Sequence, residues 1–456
     1  MFEQYLSVVD AHSKEICAVA DYLYANPELG LVEFKASACL TEVLQKHGFT
    51  VTTGVSGMPT AFTATYGSGK PHFGILAEYD ALSGMSQEPG SAEPKSIPGL
   101  DEGHGCGHNL FAAGSLAAAL AVKEYIQKNG TGSVTLFGCP AEEGGGGKVY
   151  MARDGVFGGV DAIVSWHPEC MNMVRTRPAL ANVKVTYTFT GVAAHAGANP
   201  EKGRSALDAL ELMNIGANFL REHMDLTSRI HYAILDAGGT APNQVQSHAK
   251  VLYMIRAVDS ASVKELRERV DRIAQGAAMM TDTTVEAEIV MGYSNLVTIP
   301  TLQATANEAL HDIPVPVPTE EELAYGKALQ ATMKLTAAQQ QMPTFRTAVL
   351  DPAPPVAHGG STDTADVSWN CPTVQMHIAN WVVGTPGHSW QSASQSGGSY
   401  AKRAMLYAGK AVAGTILRLM EKPELVAKAR AEHAEKTAEG YVCQLPAGAV
   451  PPTSMN

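Results

Sequence analysis

Two histidines and a cysteine (His104, Cys106, His108) fall within five positions of the stretch GHGCGHNL, residues 103–110. The glycines let the backbone bend so that alternate side chains converge on one point. Thiolate and imidazole at such spacing suit a transition metal. Taken alone, the stretch admits three readings: a metal-binding turn, a thiol activated at a helix N-terminus, or a glycine-rich turn that only happens to carry polar side chains.

Other segments weigh on that choice. In CPAEEGGGGK, Glu142 and Glu143 follow the apolar run SVTLFG, whose C-terminal end is where α/β sheets place ligands. Adjacent carboxylates repel and are ordinarily a solvated pair. Beside a dication they divide the labour, one coordinating and the other serving a water as general base. The glycines also suggest a phosphate cradle, but GxxxxGK[ST] is not met because Val149 follows Lys148. IVSWHPE ends an apolar run on His167, and GTPGHSWQ sets His388 in a glycine- and proline-bounded turn. Cys106, His108, Glu143, His167 and His388 make a mixed sulfur, nitrogen and oxygen set sufficient for two metal ions that share ligands and water.

The elements that must position these residues alternate. Helical periodicity runs from Glu3 to Ala25 and through KASACLTEVLQKHGF, which closes on Gly48. The short apolar runs HFGILAEYDAL, GSVTLFGCP and VDAIVSWHP read as buried strands, and NLFAAGSLAAALAVKEYIQK as an alanine-rich helix. This order predicts an α/β layer with a mostly parallel sheet. From about Leu180 the pattern changes to a β-α-β-α-β run, an α+β insert with an antiparallel sheet. The expected organisation is a metal-binding domain of residues 1–182 and 296–456, interrupted by an inserted domain of residues 183–295.

Bulk properties narrow the function. Of 456 residues, 45% are hydrophobic and 17% charged, an ordinary globular balance. A net charge of −12 argues against nucleic acid or an anionic membrane as the main partner. Seven scattered cysteines are no disulfide framework and fit a reducing compartment. Neither a secretory leader nor a membrane span is expected, so the location read from the sequence is cytoplasmic.

GHGCGHN, PAEEGGGG, SWHPE, GVAAHAGANPEKGRSALDA and GTPGHSWQ, in this order, resemble the aminoacylase/carboxypeptidase group of dinuclear metallohydrolases. Through AEYDAL, GHGCGHNL, DAGGTAPNQVQ and GSTDTADVSW the chain is similar to the amidohydrolase branch that holds the auxin-conjugate and aminobenzoyl-glutamate hydrolases, the latter of the B-subunit type above all. The likeness spans nearly the whole chain. It implies a metallopeptidase-like α/β catalytic domain with an inserted α+β lid and dimerisation domain. It further implies two divalent ions per subunit, zinc or manganese, held by Cys106, His108, Glu143, His167 and His388.

In that resemblance Glu142 is the general base and Asp80 a carboxylate that orients the site from behind a ligand. Many relatives outside the branch carry a histidine two positions before that aspartate. Glu78 stands there in this chain, and its contact with metal is left open. His195 falls in the lid and is implied to stabilise the oxyanion, commonly in the partner subunit's site. Asn243 and Arg256 match lid positions that hold a substrate carbonyl or carboxylate, although Arg256 reads equally well as a structural ion-pair former. His358 competes with His388 as the last ligand, and the motif context favours His388. The implied reaction is metal-dependent hydrolysis of an amide in an N-acyl or N-aroyl amino acid. Rival readings are a dipeptidase, a hydrolytic aryl-amine deaminase and a non-catalytic partner subunit. The implied assembly is a homodimer or a pair with a paralogous subunit.

Overall fold

Short apolar runs and amphipathic helices do alternate along the chain, and the runs pair as strands. The computed structural model describes residues 2–352 and 360–453. The strands are β1 (Thr50–Thr53), β2 (Phe62–Gly67), β3 (His72–Glu78), β4 (Ser133–Cys139), β5 (Ala162–Glu169), β6 (Met173–Val174), β7 (Ala181–Thr190), β8 (Ala194–His195), β9 (Arg229–Asp236), β10 (Gln244–Val245), β11 (His248–Ala257), β12 (Thr284–Tyr293) and β13 (Thr373–Ala379).

The larger sheet has the order β1-β2-β4-β3-β5-β13-β6. Its centre, β4-β3-β5-β13, is parallel, and the flanking strands pair antiparallel. β4 is buried along its whole length and β3 along nearly all of it, as a sheet covered on both faces requires. The helix His108–Asn129 lies on this sheet and against the helix Ser399–Glu421. Its buried alanines, Ala112, Ala113 and Ala117 among them, allow that close approach. All parallel strands therefore aim their C-terminal ends at one edge, where the loops that carry the candidate ligands gather.

A second, antiparallel sheet has the order β12-β7-β11-β9. The helices Ala206–Leu220 and Ser260–Thr281 pack on it and share with it a separate core that includes Tyr187, Leu210, Met213, Val251 and Val270. A short ribbon pairs β8 with β10.

Several expectations need correction. The N-terminal helix is interrupted at His12, giving Glu3–Ala11 and Ser13–Ala25. The β-α-β-α-β pattern omitted β9, which is exposed over most of its length and so lacks an apolar alternation to find. The segment after residue 296 contains the helices Pro300–Asp312 and Glu320–Gln330, unannounced by any strong pattern. Among the described residues, no helix is long and apolar enough to cross a membrane.

Candidate active site

Five loops converge at the C-terminal edge of the parallel strands. β3 delivers Glu78 and, just beyond, Asp80, while β4 is followed by Glu142 and Glu143. β5 carries His167 in register with His377 of β13. Cys106 and His108 enter on the turn that opens the helix His108–Asn129. Gly107 sits at φ +76°, where a Cβ would come within 3.0 Å of Pro168 and 3.2 Å of Trp381. Only glycine lets this turn lie against the residue that follows His167. His388 is itself in left-handed backbone, at φ 53°, a strained geometry of the kind that collects at functional sites. Its N–H donates to Gly105 O at 3.2 Å, which ties the two loops together.

The side chains these turns deliver form three overlapping groups: Cys106 with His108 and His167, Cys106 with Glu143 and His388, and Glu78 with His108 and Glu142. Within each group the ligand atoms lie within 4.8 Å of one another. Cys106 Sγ is 3.5 Å from His167 Nε2, and His388 Nε2 is 3.2 Å from Glu143 Oε1. Both inner imidazoles are clamped from behind. His108 Nδ1 faces Asp80 Oδ1 at 2.9 Å, and His167 Nδ1 faces Pro168 O at 2.8 Å. The partners are acceptors, so each Nδ1 carries the proton and Nε2 is turned into the group, the arrangement of metal-bound histidine. His108 Nε2 and Glu143 Oε1 are buried and lack a well-directed hydrogen bond, their nearest polar neighbours being Glu78 Oε2 and His388 Nε2, each at 3.2 Å. Orphaned polar atoms are uncommon in a folded interior. Two of them in a thiol, imidazole and carboxylate cluster are the fit expected of residues that hold a divalent metal.

Asp80 does more than orient one ring. Its Oδ2 accepts the backbone N–H of Glu143 at 2.8 Å, so one carboxylate fixes both the His108 imidazole and the turn that presents Glu143. Glu142 receives the Thr362 hydroxyl on Oε1 at 3.0 Å. Burial, followed by the negative charges of Glu78, Asp363 and Glu143, raises its carboxyl well above the ordinary range. Burial likewise raises the Cys106 thiol, opposite to the shift a catalytic thiolate at a helix N-terminus requires.

Some members of the site carried no sequence signal. Lys148, read from sequence only as part of a phosphate cradle, is wholly buried, with Nζ 2.8 Å from Glu78 Oε1 and 2.6 Å from Asp363 Oδ1. Its ammonium faces inward and its charge is taken, which removes the phosphate reading. Glu78 thereby has one oxygen on Lys148 and the other 3.2 Å from His108 Nε2. Glu33, fully buried, caps the next layer by accepting the Ala141 N–H at 2.7 Å. These contacts join residues far apart in sequence and have no local motif.

Cys106, Glu142, Glu143, His167 and His388 line a cavity of about 520 Å³, together with Arg175, Gln375 and His377. The lid candidates are elsewhere. His195 and Asn243 are exposed on the β8–β10 ribbon and do not line this cavity. His195 Nδ1 accepts the N–H groups of Gly197 and Ala198 at 3.2 and 3.1 Å, leaving the proton on the outward Nε2. Arg256 reaches the rim, where its Nη1 donates to Ser361 Oγ at 2.8 Å. His358 lies outside the described residues.

Residues 74–386 match the model of the peptidase family M20/M25/M40. The chain is 40% identical to the B subunit of the p-aminobenzoyl-glutamate hydrolase of Escherichia coli (strain K12), over 97% of both chains. It is 28% identical to the Xaa-Arg dipeptidase of Mus musculus, over 94% of this chain and 91% of that one. Among solved structures, an aminobenzoyl-glutamate utilization protein from Klebsiella pneumoniae superposes with a TM-score of 0.63 at 19% identity, covering 92% of this chain and 98% of that one. A dinuclear metal-binding peptidase of Bacillus subtilis gives 0.58 at 16% identity, covering 88% and 98%. The chain belongs to peptidase family M20/M25/M40 and is a hydrolase that acts on amide bonds.

Proposed function

We propose that the chain cleaves the amide of an N-aroyl or N-acyl amino acid, with p-aminobenzoyl-glutamate as the leading substrate. The convergence of Cys106, His108, Glu143, His167 and His388 on one cavity beside a buried Glu142 carries the reading. The 40% identity to the B subunit of that hydrolase supports the substrate. A dipeptide is the second reading, favoured by the mouse relative.

Cys106, His108, Glu143, His167 and His388 would hold zinc or manganese, which when bound would supply Lewis acidity to the scissile carbonyl and to water. Glu142 takes the proton of the attacking water through the oxygen not engaged by Thr362, then returns it to the leaving amine. Asp80 keeps His108 and the Glu143 turn in place throughout. His195 presents its Nε2–H as an oxyanion donor, and because it lies away from this chain's cavity, it serves the site of a second subunit. We assign residues 183–295 this lid and dimerisation role. Support comes from β9, an edge strand that exposes Tyr232, Ile234 and Leu235. A homodimer and a pair with a paralogous subunit both fit that edge. Asn243 and Arg256 are assigned to substrate contacts in the same closed arrangement. The cytoplasmic placement rests on the composition and on seven cysteines without a disulfide.

The test is release of p-aminobenzoate from p-aminobenzoyl-glutamate by the purified chain, after chelation and separate reloading with zinc or manganese. Glu142→Gln should keep its metal and lose roughly 10²- to 10⁴-fold in turnover. Near-normal turnover in that variant with metal in place refutes the base assignment.

A further inference from the structure

Arg175 follows the edge strand β6 and enters the cavity wall beside β13. Its backbone N–H donates to Gln375 O at 2.9 Å, and its Nη1 donates to Gln375 Oε1 at 2.8 Å. Among the described residues, no carboxylate stands within ion-pair distance of this guanidinium. Glu142, Glu169 and Glu78 attract this half-buried cation from beyond pairing distance, and its one hydrogen-bonded side chain is a neutral amide, so a directly paired anion lowers the cost of its burial. Arginine's planar fork matches a carboxylate in two-point geometry, and the Gln375 amide holds the fork in one orientation.

The placement relates this group to the reacting centre. Gln375 and His377 share a face of β13, two residues apart, and His377 pairs in register with His167. Two residues of strand span roughly 7 Å. The Arg175 anchor thus lies about that far along the sheet from the row that holds His167, the reach of an amino-acid arm beyond its scissile amide. Arg256, the arginine that sequence pointed to, has its Nη1 engaged with Ser361, and Arg177, which also lines the cavity, is exposed and lacks, among the described residues, a side chain such as Gln375 to fix its fork.

We propose that Arg175, held by Gln375, is the residue that recognises a substrate carboxylate in this cavity and selects amides one arm of which ends in that group. The proposal rests on the amide-hydrolase reading above and adds to it a named determinant of specificity.

The test compares N-benzoyl-glutamate with its neutral diamide on the metal-loaded enzyme. In the wild type the acid should be strongly preferred in kcat/KM. Arg175→Gln should narrow that preference roughly ten- to hundredfold, chiefly through the KM of the acid. Arg175→Lys, which keeps the charge but not the fork, should restore part of it. An unchanged preference, or an equal loss on acid and diamide, overturns the proposal. Calorimetric titration with glutarate, which needs no turnover, separates the two levels of inference. If neither amide is hydrolysed while glutarate binding still weakens at least tenfold in Arg175→Gln, the substrate reading fails and the anion site stands. Equal glutarate affinity in wild type and variant overturns the anion site.

Discussion

Removing the Lys148 ammonium should be among the most damaging single changes outside the ligands. Lys148, Glu78 and Asp363 are 0–2% exposed, with contacts of 2.8 and 2.6 Å from Nζ. At an effective dielectric of about 20, each contact amounts to a gross attraction of about 6 kcal/mol, most of it offset by desolvation of the three charges. Lys148→Met fills nearly the same volume, so the loss is electrostatic: two carboxylates are left buried without their cation, beside Glu142. The expected destabilisation is about 3–5 kcal/mol, a large share of the roughly 5–15 kcal/mol that folded domains possess. Urea unfolding followed by tryptophan fluorescence is the suitable assay, because Trp166, Trp369, Trp381 and Trp390 all lie outside the 183–295 segment and report on the catalytic sheet. The loss should also depend on pH. Burial already raises the Asp363 carboxyl to about 7 against the pull of Lys148, and loss of that ammonium raises it further, so the folded variant is least penalised at low pH and more so as pH rises. The deficit at pH 8 should therefore exceed that at pH 5, and adding Asp363→Asn should recover part of it. A loss below about 1 kcal/mol, or one independent of pH, would show that the cluster does not hold the site as described.

Two further predictions concern the layers behind the ligands. Burial and the charge of Asp80 push the Glu33 carboxyl up to about 8 from an ordinary 4.5. Its contribution to stability is complete below 4.5 and is lost as pH rises through 8, at up to about 1.4 kcal/mol per pH unit. Glu33→Gln, which does not titrate, should gain on the wild type between pH 5 and pH 9, whereas parallel stability curves would contradict the assignment. Gly107→Ala forces a side chain into left-handed backbone and against Pro168, at a cost of about 1–3 kcal/mol. Because the turn carries Cys106 and His108, metal affinity should fall with stability, and a variant with both unchanged would remove the turn from the account.

How much was legible follows from where each signal resides. Cys106, His108, Glu142, Glu143, His167 and His388 each stand at the end of an apolar run or in a glycine turn, so a few neighbouring residues announce them, and the structure brings them together. The central parallel strands were legible because strands buried on both faces are continuous apolar runs. Arg175 and Gln375, Lys148 and Asp363, and Glu33 and Ala141 pair across 108 to 215 residues, and no periodicity reports a partner at that distance. β9 escaped because an exposed edge strand has no buried face to pattern. His195 and Asn243 were pointed to by resemblance alone, since each is exposed and stands at the end of no buried apolar run.

The central claim is that Cys106 is a metal ligand in a centre of two ions, and cobalt substitution tests it most directly. Chelated protein reloaded with cobalt should bind two ions per chain and show a near-ultraviolet thiolate-to-metal absorption band. That band should vanish in Cys106→Ser while the variant's fold is retained. Failure to bind metal, or a band indifferent to the loss of Cys106, would contradict the account.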